Sequence, residues 1–168
     1  MKKLLKTICG TCDAALDVSA LQPLIPFKCP GCGNQLHAPA ALGHLRFDKP
    51  LGKIGCFSSY EGFDAKNNIY ATFLLGDFKD CGKCDTSLLS EKVDSEIAIL
   101  NSLSHPNICP VSGKWNIDGV LVVESPRMDG FDFSEYMPSE HGFLNAEMIF
   151  DILQKVAVGV ATAHHNEV

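Results

Sequence analysis

Short blocks of alternating or continuous apolar residues fill the first half of the chain and predict β-strands. Short alternating patterns lie at 15–18 and 34–37, and longer strand-like segments lie at 51–62 and 69–75. Residues 64–68 between the longer segments are polar and supply a turn. The pattern therefore predicts a β-hairpin in this part of the chain.

The apolar spacing in the second half changes to that of a helix in two places. Between residues 87 and 103, and again between 145 and 164, apolar side chains recur every three or four positions. Strands are predicted at 111–115 and 120–124, because the Asp-Gly pair at 118–119 favours a tight hairpin turn. Strands and helices in this order predict an α+β fold.

The composition is that of a globular chain that does not cross a membrane. Of its 168 residues 46% are apolar and 20% are charged, whereas disordered chains are less apolar. No apolar run approaches the roughly 18 residues that span a bilayer. The opening Met1-Lys2-Lys3-Leu4-Leu5 resembles the start of a signal peptide, but its apolar stretch ends at Cys9. We therefore expect a soluble, cytoplasmic protein with no membrane partner.

The net charge of −6 is unevenly distributed along the chain. Residues 1–46 carry five basic and two acidic side chains, a balance of +3, whereas residues 47–168 have a balance of −9. This shift predicts two domains, 1–46 and 47–168. The second domain has no basic surface suited to a phosphate backbone, so nucleic acid is not expected as its partner.

Four of the eight cysteines have the spacing of a metal site. A reducing compartment disfavours disulfides, so paired cysteines indicate metal binding first. Cys9 and Cys12 are followed, after sixteen residues, by Cys29 and Cys32. Two residues between cysteines allow a tight turn to direct both sulfurs at one ion, which is the spacing of a four-thiolate zinc site.

The segment around these cysteines resembles a zinc ribbon, most specifically at Phe27-Lys28-Cys29-Pro30-Gly31-Cys32-Gly33. The resemblance covers residues 6–40 and implies a small all-β unit with a structural zinc. Four thiolates complete a tetrahedron without His37 or His44. So small a unit has little core, and metal binding would supply much of its folding free energy.

The order of elements after residue 47 resembles the small lobe of a bacterial-type Ser/Thr protein kinase. The phrases that carry the resemblance are, in chain order, Leu51-Gly52, Tyr70-Ala71, Ser95-Glu96-Ile97, Leu103-Ser104-His105-Pro106-Asn107-Ile108, Leu121-Val122-Val123-Glu124 and Ala161-Thr162-Ala163-His164-His165. The resemblance implies an antiparallel sheet with one helix, followed by the first helices of the large lobe. It also implies a nucleotide site, and the matching residues are Gly52, Gly55, Ala71 and Glu96.

Several positions depart from the kinase pattern in ways that oppose binding of ATP and Mg²⁺. Ile54 and Phe57 stand where the loop over the phosphates has glycines, so their side chains would crowd the phosphates. Phe73 stands where the third strand has its phosphate-binding lysine, and a one-residue shift gives Leu74. Neither side chain can donate a hydrogen bond or offset phosphate charge.

The chain ends at Val168, where the family's catalytic loop would begin, so no catalytic residue can be assigned. We therefore expect an inactive fragment of a kinase-like protein. The parent is expected to be a pseudokinase that acts in binding or regulation, with a protein partner and with the remainder of the large lobe outside this chain.

Two alternatives remain open from the sequence. In the first, the chain is the N-terminal part of an active kinase in which Lys53 or Lys79 replaces the missing lysine. In the second, it is a nucleic-acid-binding zinc-ribbon module. A further pair, Cys81 and Cys84, precedes the first helix. A second metal site there would need two more ligands, for which Cys56, Cys109 or another chain are the cysteine candidates.

Overall fold

The computed structural model describes residues 1–76, 86–128 and 145–166, and these contain eleven strands and two helices. The strands are β1 Lys2–Lys3, β2 Lys6–Ile8, β3 Ala15–Asp17, β4 Pro26–Lys28, β5 Gln35–His37, β6 Ala40–Leu42, β7 Leu45–Ile54, β8 Phe57–Asp64, β9 Ile69–Gly76, β10 Gly113–Ile117 and β11 Val120–Pro126. The helices are α1 Thr86–Ser102 and α2 Ala146–His165. The predicted α+β fold class is confirmed.

Seven strands form one antiparallel sheet in the order β1-β6-β7-β8-β9-β11-β10. The other four form two separate pairs, β2 with β3 and β4 with β5. The chain divides into two compact units. The first comprises Met1–Thr86 and Ser112–Arg127, with all eleven strands, and the second comprises Ser87–Val111 and Met128–Val168, with both helices.

The predicted turns are present. At 64–68 the carboxylate of Asp64 accepts from the backbone N–H of Lys66 at 2.7 Å and fixes the β8–β9 turn. Asp118 and Gly119 have φ of 53° and 79°, as a tight hairpin turn requires. The segment 51–62 turns at Gly55 (φ 59°), which joins β7 to β8.

The sheet begins earlier in the chain than the sequence pattern indicates. Strand β6 pairs with β7 from Leu42–Leu45 to Ala40–Phe47, and β1 adds to the outer edge of β6. Position 46, where the charge balance places a boundary, lies within β7. The division into domains 1–46 and 47–168 stays a prediction, and the sheet itself is continuous through this position.

The first unit has its hydrophobic core on one face of this sheet. The side chains of Phe47 and Phe73 meet edge to face with centroids 5.5 Å apart and are both fully buried. The rest of this cluster is Ala40, Leu42, Leu45, Ala71, Leu75 and Val122. Trp115 and Ile117 of the edge strand β10 also pack against it.

In the second unit the loop after α1 contacts α2 at a glycine. A Cβ at Gly159 would lie 3.5 Å from the carbonyl oxygen of Asn107, and the Asn107 side-chain amide donates to the carbonyl of Lys155 at 2.8 Å. Asn145 caps the N-terminus of α2 through its side-chain oxygen. No helix in the described part of the chain is long and apolar enough to cross a membrane.

Candidate metal centre

The first cysteine pair lies in the tight turn that joins β2 to β3. The N–H of Cys9 donates to the carbonyl of Ala14 at 3.0 Å, and the Cys9 carbonyl accepts from the N–H of Asp13 at 2.8 Å. Asp13 has φ of 56°, so the backbone turns back immediately after Cys12. The turn therefore places both sulfurs of this pair on the same side.

The second pair repeats this geometry twenty positions later, between β4 and β5. The N–H of Cys29 donates to the carbonyl of Asn34, and its carbonyl accepts from the N–H of Gly33, each at 2.8 Å. Gly33 has φ of 75° and occupies the position equivalent to Asp13. The two turns are thus copies of one local structure.

The four sulfur atoms converge to within 4.8 Å of one another. The distance from Cys9 Sγ to Cys32 Sγ is 3.7 Å, and that from Cys12 Sγ to Cys29 Sγ is also 3.7 Å. Four sulfurs around one ion at about 2.3 Å would be separated by about 3.8 Å, whereas a disulfide is about 2.05 Å long. The spacing fits one four-coordinate metal ion, and all four cysteines are free thiols.

The electrostatics of the cluster also favour a cation. Backbone N–H groups of Thr11 and Cys12 lower the pKa of Cys9 to about 6. The N–H of Ala14 lowers the pKa of Cys12, but the neighbouring Cys32 and Cys9 outweigh it and raise the value to about 12. Four thiolates so close together repel one another, and a divalent cation removes that repulsion.

The inner side of the site is covered by protein, whereas Cys12 and Cys32 are exposed to solvent. Cys9 and Cys29 are buried among the side chains of Leu16, Phe27 and Leu36. The side-chain amide of Asn34 donates to Thr11 Oγ1 at 3.0 Å and so connects the two turns. Four thiolates leave no coordination position for a substrate, which is the arrangement of a structural rather than a catalytic metal site.

The predicted nucleotide residues are distributed over both units of the chain. Gly55 lies at the exposed β7–β8 turn, and Gly52 precedes it in β7 next to an irregular register. Ala71 is fully buried in the core and lies opposite Gly62, away from that turn. Glu96 is an exposed residue of α1 in the other unit. Their assignment to a nucleotide site stays a prediction.

The two candidate lysine positions lie on opposite faces of β9. Phe73 points into the core, while Leu74 points to the other face and pairs in register with Val123. Cys81, Cys84 and Lys79 lie outside the described residues. Cys56 is exposed at the β7–β8 turn.

Sequence reasoning missed two features of the first unit. The repeat of the two cysteine turns was visible as a common offset of twenty residues for Cys9/Cys29 and Leu16/Leu36. The other feature is Glu124, which the kinase resemblance places in a hinge-like run but which is only 1% exposed. No local signal indicates this burial.

Comparison with known proteins supports the fold alone. No protein-family model and no curated protein sequence matches the chain. Among solved structures, the kinase domain of PknI from Mycobacterium tuberculosis, as a cysteine-to-alanine mutant, matches with a TM-score of 0.60 and 18% identity, over 77% of this chain and 51% of that chain. Another structure of the PknI kinase domain matches with a TM-score of 0.58 and 17% identity, over 76% and 50% of the respective chains.

These matches confirm the resemblance to a kinase domain at the level of fold. The chain spans about half the length of the kinase-domain structures that it matches. The sequence resemblance assigned strands β7 to β11 and helix α1 to the small lobe. In the sheet these strands lie in the order β7-β8-β9-β11-β10, and α1 follows β9 in the chain.

Proposed function

We propose that this chain belongs to a pseudokinase of the Ser/Thr kinase type, which acts by binding rather than by phosphoryl transfer and has a structural zinc site at its N-terminus. The observation that carries the proposal is the full burial of Phe73 against Phe47. A lysine at this position would hold the phosphates of ATP, and a buried aromatic ring cannot. The alternative position, Leu74, is also apolar.

The hairpin that would cover the phosphates supports the same conclusion. Ile54 is 66% exposed at the end of β7, so a branched side chain occupies the place where kinases have bare backbone. Together with Phe73, this substitution removes both a phosphate contact and the space that the phosphates need.

Mg-ATP is expected to leave the thermal unfolding of the chain unchanged. A ligand at 1,000 times its Kd stabilises a protein by about 4 kcal/mol, so micromolar affinity would be evident at about 1 mM nucleotide. Thermal unfolding with Mg-ATP, and with Mg²⁺ alone as the control, measures this directly. A shift that depends on nucleotide and saturates in the micromolar range would favour the active-kinase alternative instead.

Zinc is the metal that best fits the closed site. A tetrahedral set of four thiolates selects zinc or an iron–sulfur cluster, and zinc is the usual single ion in a ribbon of this spacing. The residues that would hold it are Cys9, Cys12, Cys29 and Cys32. The role we assign to it is to stabilise the two cysteine turns.

The partner that we propose is the protein segment that completes the kinase-like domain. Helix α2 exposes large apolar side chains on several sides, among them Phe150 at 71% and Leu153 at 60%. An apolar surface of this kind normally packs against further protein. The match covers only about half of the kinase-domain structure, so a further segment of such a domain is available to cover the helix.

Charged substitutions on α2 test this surface. Phe150→Glu and Leu153→Glu together are expected to reduce binding of a hydrophobic dye and self-association of the chain, with no loss of stability in the first unit. Asp151→Asn, an exposed position between them, is the control that changes charge without changing apolar area. Unchanged dye binding in the double variant would contradict the proposal, because these side chains would then not be the exposed apolar surface.

A further inference from the structure

Three polar side chains from distant parts of the chain meet inside the first unit. Glu124 of β11 is 1% exposed and Asp64 at the end of β8 is fully buried. His44, in the β6–β7 turn, approaches Asp64 with its Nε2 atom 3.7 Å from Oδ1. These residues play no part in the metal site or in the predicted nucleotide site.

The hydrogen bonds of this cluster are incomplete. Ser112 donates to Oε1 of Glu124 at 2.7 Å, and Asp64 accepts from the side chain and backbone of Asn67 and from the N–H of Lys66. Oε2 of Glu124 and Nε2 of His44 are both buried and have no hydrogen-bond partner among the described residues. A buried polar atom without a partner costs stability, so this cluster needs an explanation.

The cluster lies where the β6–β7 turn meets the opposite edge of the sheet. The ring of His44 contacts the ring of Trp115 in β10 edge to face, with centroids 5.4 Å apart. Beside it, a Cβ at Gly43 would lie 3.3 Å from the side chain of Ile117. The turn thus closes over the end of the core, and the three polar groups lie at this closure.

We propose that His44, Asp64 and Glu124 form a proton-dependent clamp that holds the β6–β7 turn against the β10 edge of the sheet. The clamp is closed while Glu124 is protonated, because the protonated carboxyl group can then donate a hydrogen bond to the neighbouring Asp64 carboxylate. It weakens when Glu124 ionises, because two neighbouring buried carboxylates repel each other.

The electrostatics give the direction of the pH dependence. Burial raises the pKa of Glu124 above its ordinary value of 4.5, and the adjacent Asp64 raises it further, while Ser112 and His44 lower it. An acid whose pKa is raised by folding stabilises the folded state fully below its unfolded pKa and loses that contribution as the pH rises through the folded pKa. The groups that face Glu124 are His44 from the β6–β7 turn, Asp64 from β8, Phe73 from β9 and Ser112 before β10.

The test compares the 168-residue chain with its Glu124→Gln variant from about pH 4, which is below the ordinary pKa of a glutamate, to about pH 8.5. The glutamine retains the acceptor for Ser112 and supplies an N–H donor toward Asp64 at every pH. Its Tm is expected to equal that of the wild type at the acidic end and to exceed it by at least about 2–4 °C at the alkaline end. Glu91→Gln removes an exposed carboxylate of α1 and should show no such difference.

Trp115 is the one tryptophan of the sequence and reports on the closure without any label. Its emission is expected to shift to longer wavelength as the pH rises in the wild type, and to stay constant in Glu124→Gln. Ser112→Ala removes a bond that lowers the pKa of Glu124, so it should move the midpoint of the shift to higher pH. Parallel curves for wild type and Glu124→Gln, or a midpoint that Ser112→Ala leaves in place, would overturn the clamp.

Discussion

Replacement of Cys29 and Cys32 by serine is expected to abolish metal binding and to unfold both cysteine turns. The wild-type chain should contain one zinc ion, and the double variant none. Structural zinc in small thiolate sites contributes an apparent binding free energy of about 10–16 kcal/mol at neutral pH. The few buried side chains around Cys9 and Cys29 cannot replace a contribution of that size.

Metal analysis and hydrogen exchange measure the two parts of this expectation separately. Backbone amides of residues 6–37 should lose protection in the variant, or after chelation, while those in β8 and β9 should keep it. Cys56→Ser is the matched control, because it makes the same atomic change at an exposed turn. Stoichiometric zinc in the Cys29/Cys32 variant would contradict the site, and retained protection without metal would contradict its structural role.

The metal site was predictable from the sequence because all of its geometry is local. Two residues between cysteines and a turn-forming residue after each pair fix the position of two sulfurs without reference to the rest of the fold. The left-handed conformation at Asp13 and Gly33 follows directly from this pattern. Only the convergence of the two turns is a tertiary event, and the sixteen-residue spacing already suggested it.

The extent of the sheet and the buried polar cluster were not predictable in the same way. Ala40 to Leu42 is too short and too small to be recognised as a strand, and it becomes one by pairing with β7. Asp64 and Glu124 are sixty residues apart in the sequence. The local pattern around each of them is also typical of a surface turn or of the end of a strand, so it does not predict burial. Their contact depends on how far the sheet curls, which side-chain periodicity does not encode.

Substitution of Gly62 is the second change expected to have a large effect on stability. Because Gly62 has no side chain, the backbones of β7 and β8 can approach closely at this position. A Cβ at this position would lie 2.0 Å from the carbonyl oxygen of Arg46 and 3.1 Å from Cα of Phe47. Both atoms belong to the backbone of β7, so no side-chain rotation can relieve the overlap. Gly62→Ala is expected to lower the free energy of unfolding by about 3 kcal/mol, at the upper end of the usual range for overpacking.

The local register explains why the two strands approach so closely there. Phe47 pairs with Gly62 but Lys49 pairs with Glu61, so Asp48 is an extra residue that bulges from β7 and is held by the Arg46 side chain at 2.8 Å. Denaturant unfolding of Gly62→Ala should be compared with Gly10→Ala, where no atom lies within 4 Å of the added methyl group. Equal stability of the two variants would mean that the bulge relaxes freely. A loss of stability in Gly62→Ala but not in Gly10→Ala would mean that the bulge cannot relax to accommodate a side chain at position 62. The bulge and the glycine would then together fix the position of Phe47 in the core.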